Sequence, residues 1–523
     1  MQRLKKRAST LFAAMAMVAA WPLAVIGAPS QPSTNVAWVA AAADGDIDRA
    51  FSQARAESKP LLLYWGASWC PPCNQLKATL FNRQDFAAQS KSFVAVHIDG
   101  DRPAAQKLGT RFKVSGYPTL VLFTPSGSEI TRLPGEADAP QVMALLQAGL
   151  AGGRPMAAVL ADARAGKPLT ANEWRMLSFH SWEIDESGLV DKGDRPAVLA
   201  ELAAKSQTQG DNETSTRLWL KALAASDDGQ GVKPDAALRQ RVQRVLADPA
   251  LARTHMDVLV NGAADIVKAL SSDDAAERAP LVAQVDAALA RLQADATLSR
   301  GDRVSALIER VELARLGQPK ATTQPALPPA LVQEVRALSA RMDGETSDGY
   351  ERQAVITAVA YLQGQAGLWA ESDALLKANL AKSHSPYYLM SQLGGNARKL
   401  GKNDEALRWY RQAYDKSQGP ATRLQWGASY LNALVDLAPG DAARIEKTAA
   451  SLFAQAALDK GAFHERSARS LQRVGKKLGS WNADGKHAAS VKRLQAQLDG
   501  VCAKVDAADG QRATCVALLP RKS

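Results

Sequence analysis

Reactive side chains are scarce in this chain. Its 523 residues hold four cysteines, Cys70, Cys73, Cys502 and Cys515, and six histidines. A structural zinc site takes four ligands at characteristic spacings. No second ligand pair accompanies Cys70 and Cys73, and the nearest histidine, His97, lies in a strand-like stretch. The pattern therefore argues against a metal. Basic blocks interleaved with aromatics are also missing, so the net charge of +11 does not point to nucleic acid as a partner. No cysteine stands near the N-terminal apolar run, which excludes lipid attachment there. Beyond that run no stretch resembles a membrane-spanning helix. From about residue 156 onward there is almost no strand patterning.

What is present suits a folded protein. Hydrophobic residues make up 46% and charged residues 22% of the chain, and its length allows about three domains. The start, "MQRLKKR", is basic and leads into an uncharged apolar run over residues 11–28. This reads as an export signal over 1–28, with the periplasm or another exported compartment as the destination. Two cleavage sites are open, after Ala28 or within the small residues 40–43. An uncleaved anchor that tethers the protein is the alternative. Export changes the meaning of the cysteines, because thiols in an oxidising compartment tend to pair. The even count makes two bridges the simplest arrangement, one for Cys70 and Cys73 and one for Cys502 and Cys515.

Residues 44–150 alternate helix-like and strand-like patterns. "DIDRAFSQARAESK" is a short amphipathic helix, and "PLLLYWGA" is a buried strand by its continuous apolar run. A helix follows the first cysteine pair, then the strand "SFVAVHID" and a helix starting at Pro103. "PTLVLF" and "SEITRL", joined by the turn "TPSG", form a strand pair, and "APQVMALLQAGL" closes the unit as a helix. The order predicts an α/β fold, a mixed sheet with helices on both faces. After the linker "AGGRPM" the chain reads as all-α, in blocks over 151–316 and 330–523 separated by the Pro- and Thr-rich "GQPKATTQPALPP". In the second block Gly394, Gly401, Ala406, Tyr410 and Ala413 have offsets that resemble the tetratricopeptide repeat, and Gly367 precedes Gly401 by 34 positions. Gly210, Trp219 and Ala222 repeat part of the pattern upstream. An irregular helical array is the alternative. Trp174, Trp182, Trp219, Trp369, Trp409 and Trp426 fall in helical segments and are expected to pack.

Chemistry is written in "YWGASWCPPCNQLK". A strand ends before Cys70 and a helix begins at the prolines, which suit a first turn because their missing N–H groups would have no helical partner. Cys70 thus stands at a helix N-terminus, where free N–H groups and the helix dipole stabilise a thiolate. Cys73, one turn on, can resolve a mixed disulfide. With "SGYPT" over residues 115–119, these features resemble the thioredoxin family, most of all its exported members. The resemblance covers about 110 residues. It implies a thioredoxin fold and thiol-disulfide oxidoreductase activity, with Cys70 as attacking thiol and Cys73 as resolving thiol. It also implies that Pro118 is cis and faces the sulfurs, and that Trp69, Tyr117 and Pro118 shape a substrate groove. The dithiol carries the chemistry, so no cofactor is expected.

Two departures from that family's pattern stand out. A buried aspartate six residues before the first cysteine is replaced by Tyr64, and the lysine that accompanies it by Ala95. Neither is a base at neutral pH. His97, Lys77 or a water are the substitutes for moving the proton of Cys73. Pro71 and Pro72 leave the intervening dipeptide without N–H donors and without histidine, which favours a protein-disulfide reductase over an isomerase or oxidase. Its partners would be protein thiols or disulfides, a membrane electron donor and a protein bound to the helical region. A scaffold or holdase in which the thioredoxin domain only docks clients is the rival. Cys502 and Cys515 read as a structural disulfide fastening the end of the last helix, and closing so short a loop contributes about 3 kcal/mol. A second redox pair is the other reading.

Overall fold

The computed structural model describes residues 36–114, 116–182, 188–226, 230–271, 274–508 and 510–519. The export signal expected over 1–28 lies outside them. Six consecutive apolar or small residues, Leu61–Gly66, form strand β2 at the centre of a five-stranded sheet, and all six are buried. Around it run β1 (Val39–Ala41), β3 (Val94–Asp99), β4 (Thr119–Phe123) and β5 (Glu129–Leu133). The order is β1-β3-β2-β4-β5. β2 runs parallel to β3 and antiparallel to β4, and β4 runs antiparallel to β5, so the sheet is mixed as expected.

Strand alternation divides the side chains between two layers. Leu61, Leu63, Trp65, Val94, Val96 and Ile98 point to one face, which helices α1 (Asp44–Ala56) and α4 (Ala105–Phe112) cover. Leu62, Tyr64, Ala95 and Leu122 point to the other, under α2 (Pro71–Thr79), α3 (Gln84–Gln89) and α5 (Ala139–Leu150). A capping box starts α5. Asp138 Oδ1 accepts from the Gln141 N–H at 3.0 Å, and Gln141 Oε1 accepts from the Asp138 N–H at 3.1 Å.

Three local expectations need correction. Residues 40 and 41, expected only as part of a small-residue run near a cleavage site, belong with Val39 to β1. Its three residues are too few for periodicity to show, and pairing with β3 makes it a strand. The segment 84–89 adds the unexpected α3. The helix expected to start at Pro103 begins at Ala105 instead. Ala104 is held at φ 64° while its N–H donates to Asp459 Oδ1 at 2.8 Å, a contact made far along the chain.

After β5 every element among the described residues is an α-helix, and no described helix is long and apolar enough to cross a membrane. The Pro- and Thr-rich segment is non-helical, between helices Arg300–Ala314 and Pro329–Glu345. The helices on its two sides share one core, with Val304, Leu307 and Val311 packed with Leu331, Val335 and Val355. Gly367 and Gly401 both take left-handed φ, 78° and 71°, in the turns before helices Trp369–Asn379 and Asn403–Lys416. A Cβ on Gly394 would lie 3.0 Å from the Tyr410 ring, so this glycine lets the aromatic fill the gap between paired helices. Gly210 differs, with an extended backbone at φ −90°, so the upstream unit does not share that turn. Trp174 and Trp426 are buried, whereas Trp219, Trp369 and Trp409 are only partly so. Trp182, read as helical, sits in the turn after helix Ala171–Phe179, with its Nε1–H donating to Leu177 O at 3.0 Å.

Candidate active site

Cys70 is the N-cap of α2, and Pro71 and Pro72 occupy its first two positions. The first N–H groups of a helix have no partner within it, so two prolines cost nothing there. Cys70 and Cys73 are joined in a disulfide with their Cα atoms 5.2 Å apart. The Cys73 N–H donates to Cys70 Sγ at 3.1 Å, the donor that would steady a thiolate on Cys70 after reduction. Asn74 fixes the turn, its Nδ2 donating to Ser68 O at 2.8 Å and to Cys70 O at 2.9 Å.

An attacking sulfur has to be reached by its partner. Cys70 is only 2% exposed and Cys73 0%. Side chains of the helical region gather beside the pair, on Trp69, Tyr117 and Ser68. Trp69 is flanked by Tyr117, edge-on at 6.0 Å between ring centroids. Tyr388 stacks on Trp69 at 5.9 Å, and Trp426 meets it edge-on at 6.2 Å. The guanidinium of Arg466 lies 4.3 Å from the Trp69 centroid and 4.7 Å from that of Tyr117. His384 Nε2 is 2.9 Å from Ser68 O. The Tyr117–Pro118 peptide is cis, and Pro118 is buried. The expected groove residues are therefore gathered, and part of the helical region lies over Trp69 and Tyr117.

Electrostatics tie these groups together. Asp101 Oδ2 accepts from Trp69 Nε1–H at 2.7 Å. Burial pushes its carboxyl up to about 6, against the hydroxyl of Thr422 and the charge of Arg466. Burial lowers the pKa of Arg466, opposed by Tyr117 and Asp101. Gln106 bridges the two parts, donating to Tyr117 Oη at 2.8 Å and accepting from the Arg466 N–H at 3.1 Å. Asp101, Arg466, Tyr388 and His384 carry no signal of this site in the sequence, and Trp426 is legible there only as a packing residue. Asp101 sits in a short loop, and the others are more than 300 positions from Trp69, where nothing local marks them as neighbours.

Beneath α2, Tyr64 and Ala95 point to the same face of the sheet, and alternation sends His97 there too. The His97 ring stacks on Tyr64 at 4.8 Å with 13° between planes. Tyr64 Oη is buried without a hydrogen-bond partner, and burial drives its pKa far up, so it keeps its proton at neutral pH. Burial holds His97 below its usual value, with Asp99 opposing. Burial likewise lowers Lys77, again against Asp99, and its Nζ lies 5.0 Å from the Tyr350 ring centroid. Two titratable groups thus stand on the Tyr64 side of the domain where the family's pattern has an acid and a lysine. No cluster of three or more His, Cys, Asp or Glu suited to a metal occurs among the described residues.

Cys502 and Cys515 form the second disulfide, with Cα atoms 5.6 Å apart. It does not fasten the frayed end of a last helix. It joins the end of helix Ala488–Cys502 to a further short helix, Gln511–Val516.

A central mixed sheet, helices on both faces and a disulfide at the start of α2 define a thioredoxin-like domain followed by a largely helical region. Residues 47–150 match the thioredoxin-like domain family. Over 126 residues the chain is 31% identical to the thiol:disulfide interchange protein DsbD 2 of Pseudomonas aeruginosa, covering 23% of this chain and 22% of that protein. Over 132 residues it is 33% identical to DsbD of Cronobacter sakazakii, covering 24% and 23%. The chain thus spans under a quarter of the length of these curated relatives, and the likeness belongs to this one domain. A solved structure described as DsbH oxidoreductase aligns over 20% of this chain and 81% of its own, at 19% identity and a TM-score of 0.19.

Proposed function

We propose that this protein is an exported thiol-disulfide oxidoreductase that works as a reductase of protein disulfides. The observation that carries the reading is the Cys70–Cys73 pair at the N-terminus of α2, beside Trp69 and Tyr117. In the reduced protein the Cys70 thiolate attacks a client disulfide. The client S–S bond breaks, one client sulfur leaves as a thiolate, and a mixed disulfide to Cys70 forms. The Cys73 thiolate then attacks Cys70 Sγ and releases the second client thiolate. Two electrons pass to the client, its two sulfurs take up protons, and Cys70–Cys73 is left oxidised. Trp69, Tyr117 and Pro118 shape the groove, and Cys502–Cys515 is structural. No cofactor enters the cycle, and nucleic acid is not a partner.

Direction rests on the dipeptide. Pro71 and Pro72 offer no N–H to a thiolate and no histidine stands between the cysteines, which favours the disulfide form and hence a reductase over an isomerase or oxidase. A membrane partner would supply the electrons, and the helical region would hold a protein partner. The chain divides on this reading into an export signal over 1–28, the thioredoxin-like domain over 44–150, and helical blocks over 151–316 and 330–523. Cleavage after Ala28 is favoured over cleavage within residues 40–43, since the latter would remove residues of β1, an edge strand paired with β3. The decisive measurement is the reduction potential of Cys70–Cys73 in the full chain, equilibrated in glutathione buffers and trapped by alkylation. A potential well below that of glutathione is expected. One well above it refutes the reductase direction.

The burial of Cys70 favours a second reading, a scaffold or holdase whose cysteines do no exchange. Aggregation suppression and reduction of insulin by dithiothreitol, each compared between wild type and Cys70→Ser, separate the two. Equal insulin rates would exclude the oxidoreductase.

A further inference from the structure

The cover over Trp69 and Tyr117 is built mainly from contacts with their aromatic rings. Helix Pro386–Lys399 contributes Tyr388, Pro420–Leu437 contributes Trp426, and Glu465–Trp481 contributes Arg466. All three side chains rest on Trp69, and Arg466 also reaches Tyr117. His384, itself exposed, closes the rim against the Ser68 carbonyl. Rings that flank an attacking cysteine, with a cation on their faces and a hydrogen bond to the adjoining backbone, are already engaged as a bound polypeptide would engage them. The occupant is the chain itself.

Around Arg466 and Trp426 the seam holds a hydrogen bond, from the Arg466 N–H to Gln106 Oε1 at 3.1 Å, and leaves two donors unsatisfied. Arg466 Nε and Trp426 Nε1 are buried without hydrogen-bond partners. Elsewhere the helical region is tied to the thioredoxin-like domain by well-formed bonds. Asp459 accepts from the Ala104 N–H at 2.8 Å, Gln75 donates to Ser299 Oγ at 3.0 Å, and Arg253 pairs with Asp138 at 2.7 Å. Buried polar groups left unpaired carry a desolvation cost that exposure to water returns. Lifting the strip at Trp69 would return part of its cost by wetting Arg466 Nε and Trp426 Nε1. A cavity of about 400 Å³ lies along α2, walled by Pro71, Pro72, Gln75, Tyr388 and Gln392, and neither cysteine lines it.

We propose that His384, Tyr388, Trp426 and Arg466 form a gate that sets which partners reach Cys70: a protein thiol or disulfide gains access only when this strip lifts from Trp69 and Tyr117. The inference rests on the exchange reading above and adds its specificity element. In the gated step a partner thiolate attacks Cys70 Sγ, the Cys70–Cys73 bond breaks, and Cys73 leaves with the electron pair and takes a proton. A second partner thiolate then displaces Cys70, so the partner loses two electrons and this chain gains them. Closure by few contacts makes the open population sensitive to single side chains.

The test uses the oxidised full chain and two reductants of different size, dithiothreitol and reduced thioredoxin. Alkylation and peptide mass report Cys70–Cys73 and Cys502–Cys515 separately. Arg466→Ala removes the contacts with both rings and should speed reduction of Cys70–Cys73 by thioredoxin about tenfold, with a smaller gain for dithiothreitol. Arg466→Lys, which keeps a cation, should restore most of the closure. His384→Ala, at an exposed rim where folding is not at stake, should raise the thioredoxin rate in the same direction. Thioredoxin rates equal to wild type in both alanine variants overturn the gate and leave exchange standing. A parallel rise at Cys502–Cys515 also overturns it, because general unfolding then explains the gain. A Cys70–Cys73 bond that neither reductant opens in any variant sinks the exchange reading and the gate together.

Discussion

Removing the Tyr64 hydroxyl should strengthen this protein and leave its thiol chemistry unchanged. Tyr64 stands six residues before Cys70, on the sheet face under α2. Its Oη is buried and unpartnered. A buried hydroxyl without a hydrogen bond costs about 1–3 kcal/mol. Tyr64→Phe deletes that group and keeps the ring, so the contacts with His97 at 4.8 Å, Phe81 at 4.8 Å and Trp38 at 5.7 Å persist. After a small loss of dispersion the net gain should be about 1 kcal/mol. Urea unfolding followed by tryptophan fluorescence should show a higher midpoint at unchanged slope. Burial holds the phenol protonated at neutral pH, so it is no base for Cys73. The rate of Cys70–Cys73 reduction by dithiothreitol at pH 7 should stay within about twofold of wild type, below 0.5 kcal/mol in barrier. A tenfold fall in an intact fold would show that the hydroxyl moves a proton. A lower urea midpoint would show that it has a partner in solution.

Neighbouring glycines in helix Pro386–Lys399 should respond with opposite signs. Gly394→Ala forces a Cβ to within 3.0 Å of the Tyr410 ring and should cost about 1–3 kcal/mol, whereas Gly395→Ala, with only Tyr410 Oη 3.8 Å away, should gain about 0.5–1 kcal/mol from helix propensity, both read by urea unfolding. Replacing Cys502 and Cys515 together by serine should remove about 3 kcal/mol of stability while reduction kinetics at Cys70–Cys73 stay at wild-type values. Glu309 gives a pH test. Burial raises its carboxyl from 4.5 to about 7, against the Ala264 N–H it accepts at 3.0 Å. The folded state then binds the proton more tightly than the unfolded state, so its contribution is present below pH 4.5 and is lost as pH rises towards 7. Glu309→Gln keeps the acceptor, and should add about 3 kcal/mol at pH 8 and nothing at pH 4.

Much of the thioredoxin-like domain was legible because its signals are local. The run "PLLLYWG" is apolar at nearly every position because both faces of β2 are covered, and that reads as a buried strand without knowledge of its neighbours. The prolines after Cys70 announce a helix start, and Cys73 follows at one turn. β1 escaped because three residues carry no period, and the start of α4 moved because Asp459 bonds the Ala104 N–H. The orientation of His97 was open in the sequence. The Tyr64–His97 register turned it towards the face under α2.

By itself the sequence determined the cysteine spacing, the helix terminus that can stabilise a thiolate, the buried strand beneath it and the helical character of the remainder. Each follows from interactions within a few residues, where periodicity and turn chemistry act. Only the tertiary structure decided that Cys70 is buried. His384 meets Ser68 across 316 positions, and Tyr388, Trp426 and Arg466 come to Trp69 from three different helices. Contacts of that range are set by how helices pack against the whole domain, and a tryptophan in an apolar helix looks the same in sequence whether it fills a helical core or packs on Trp69.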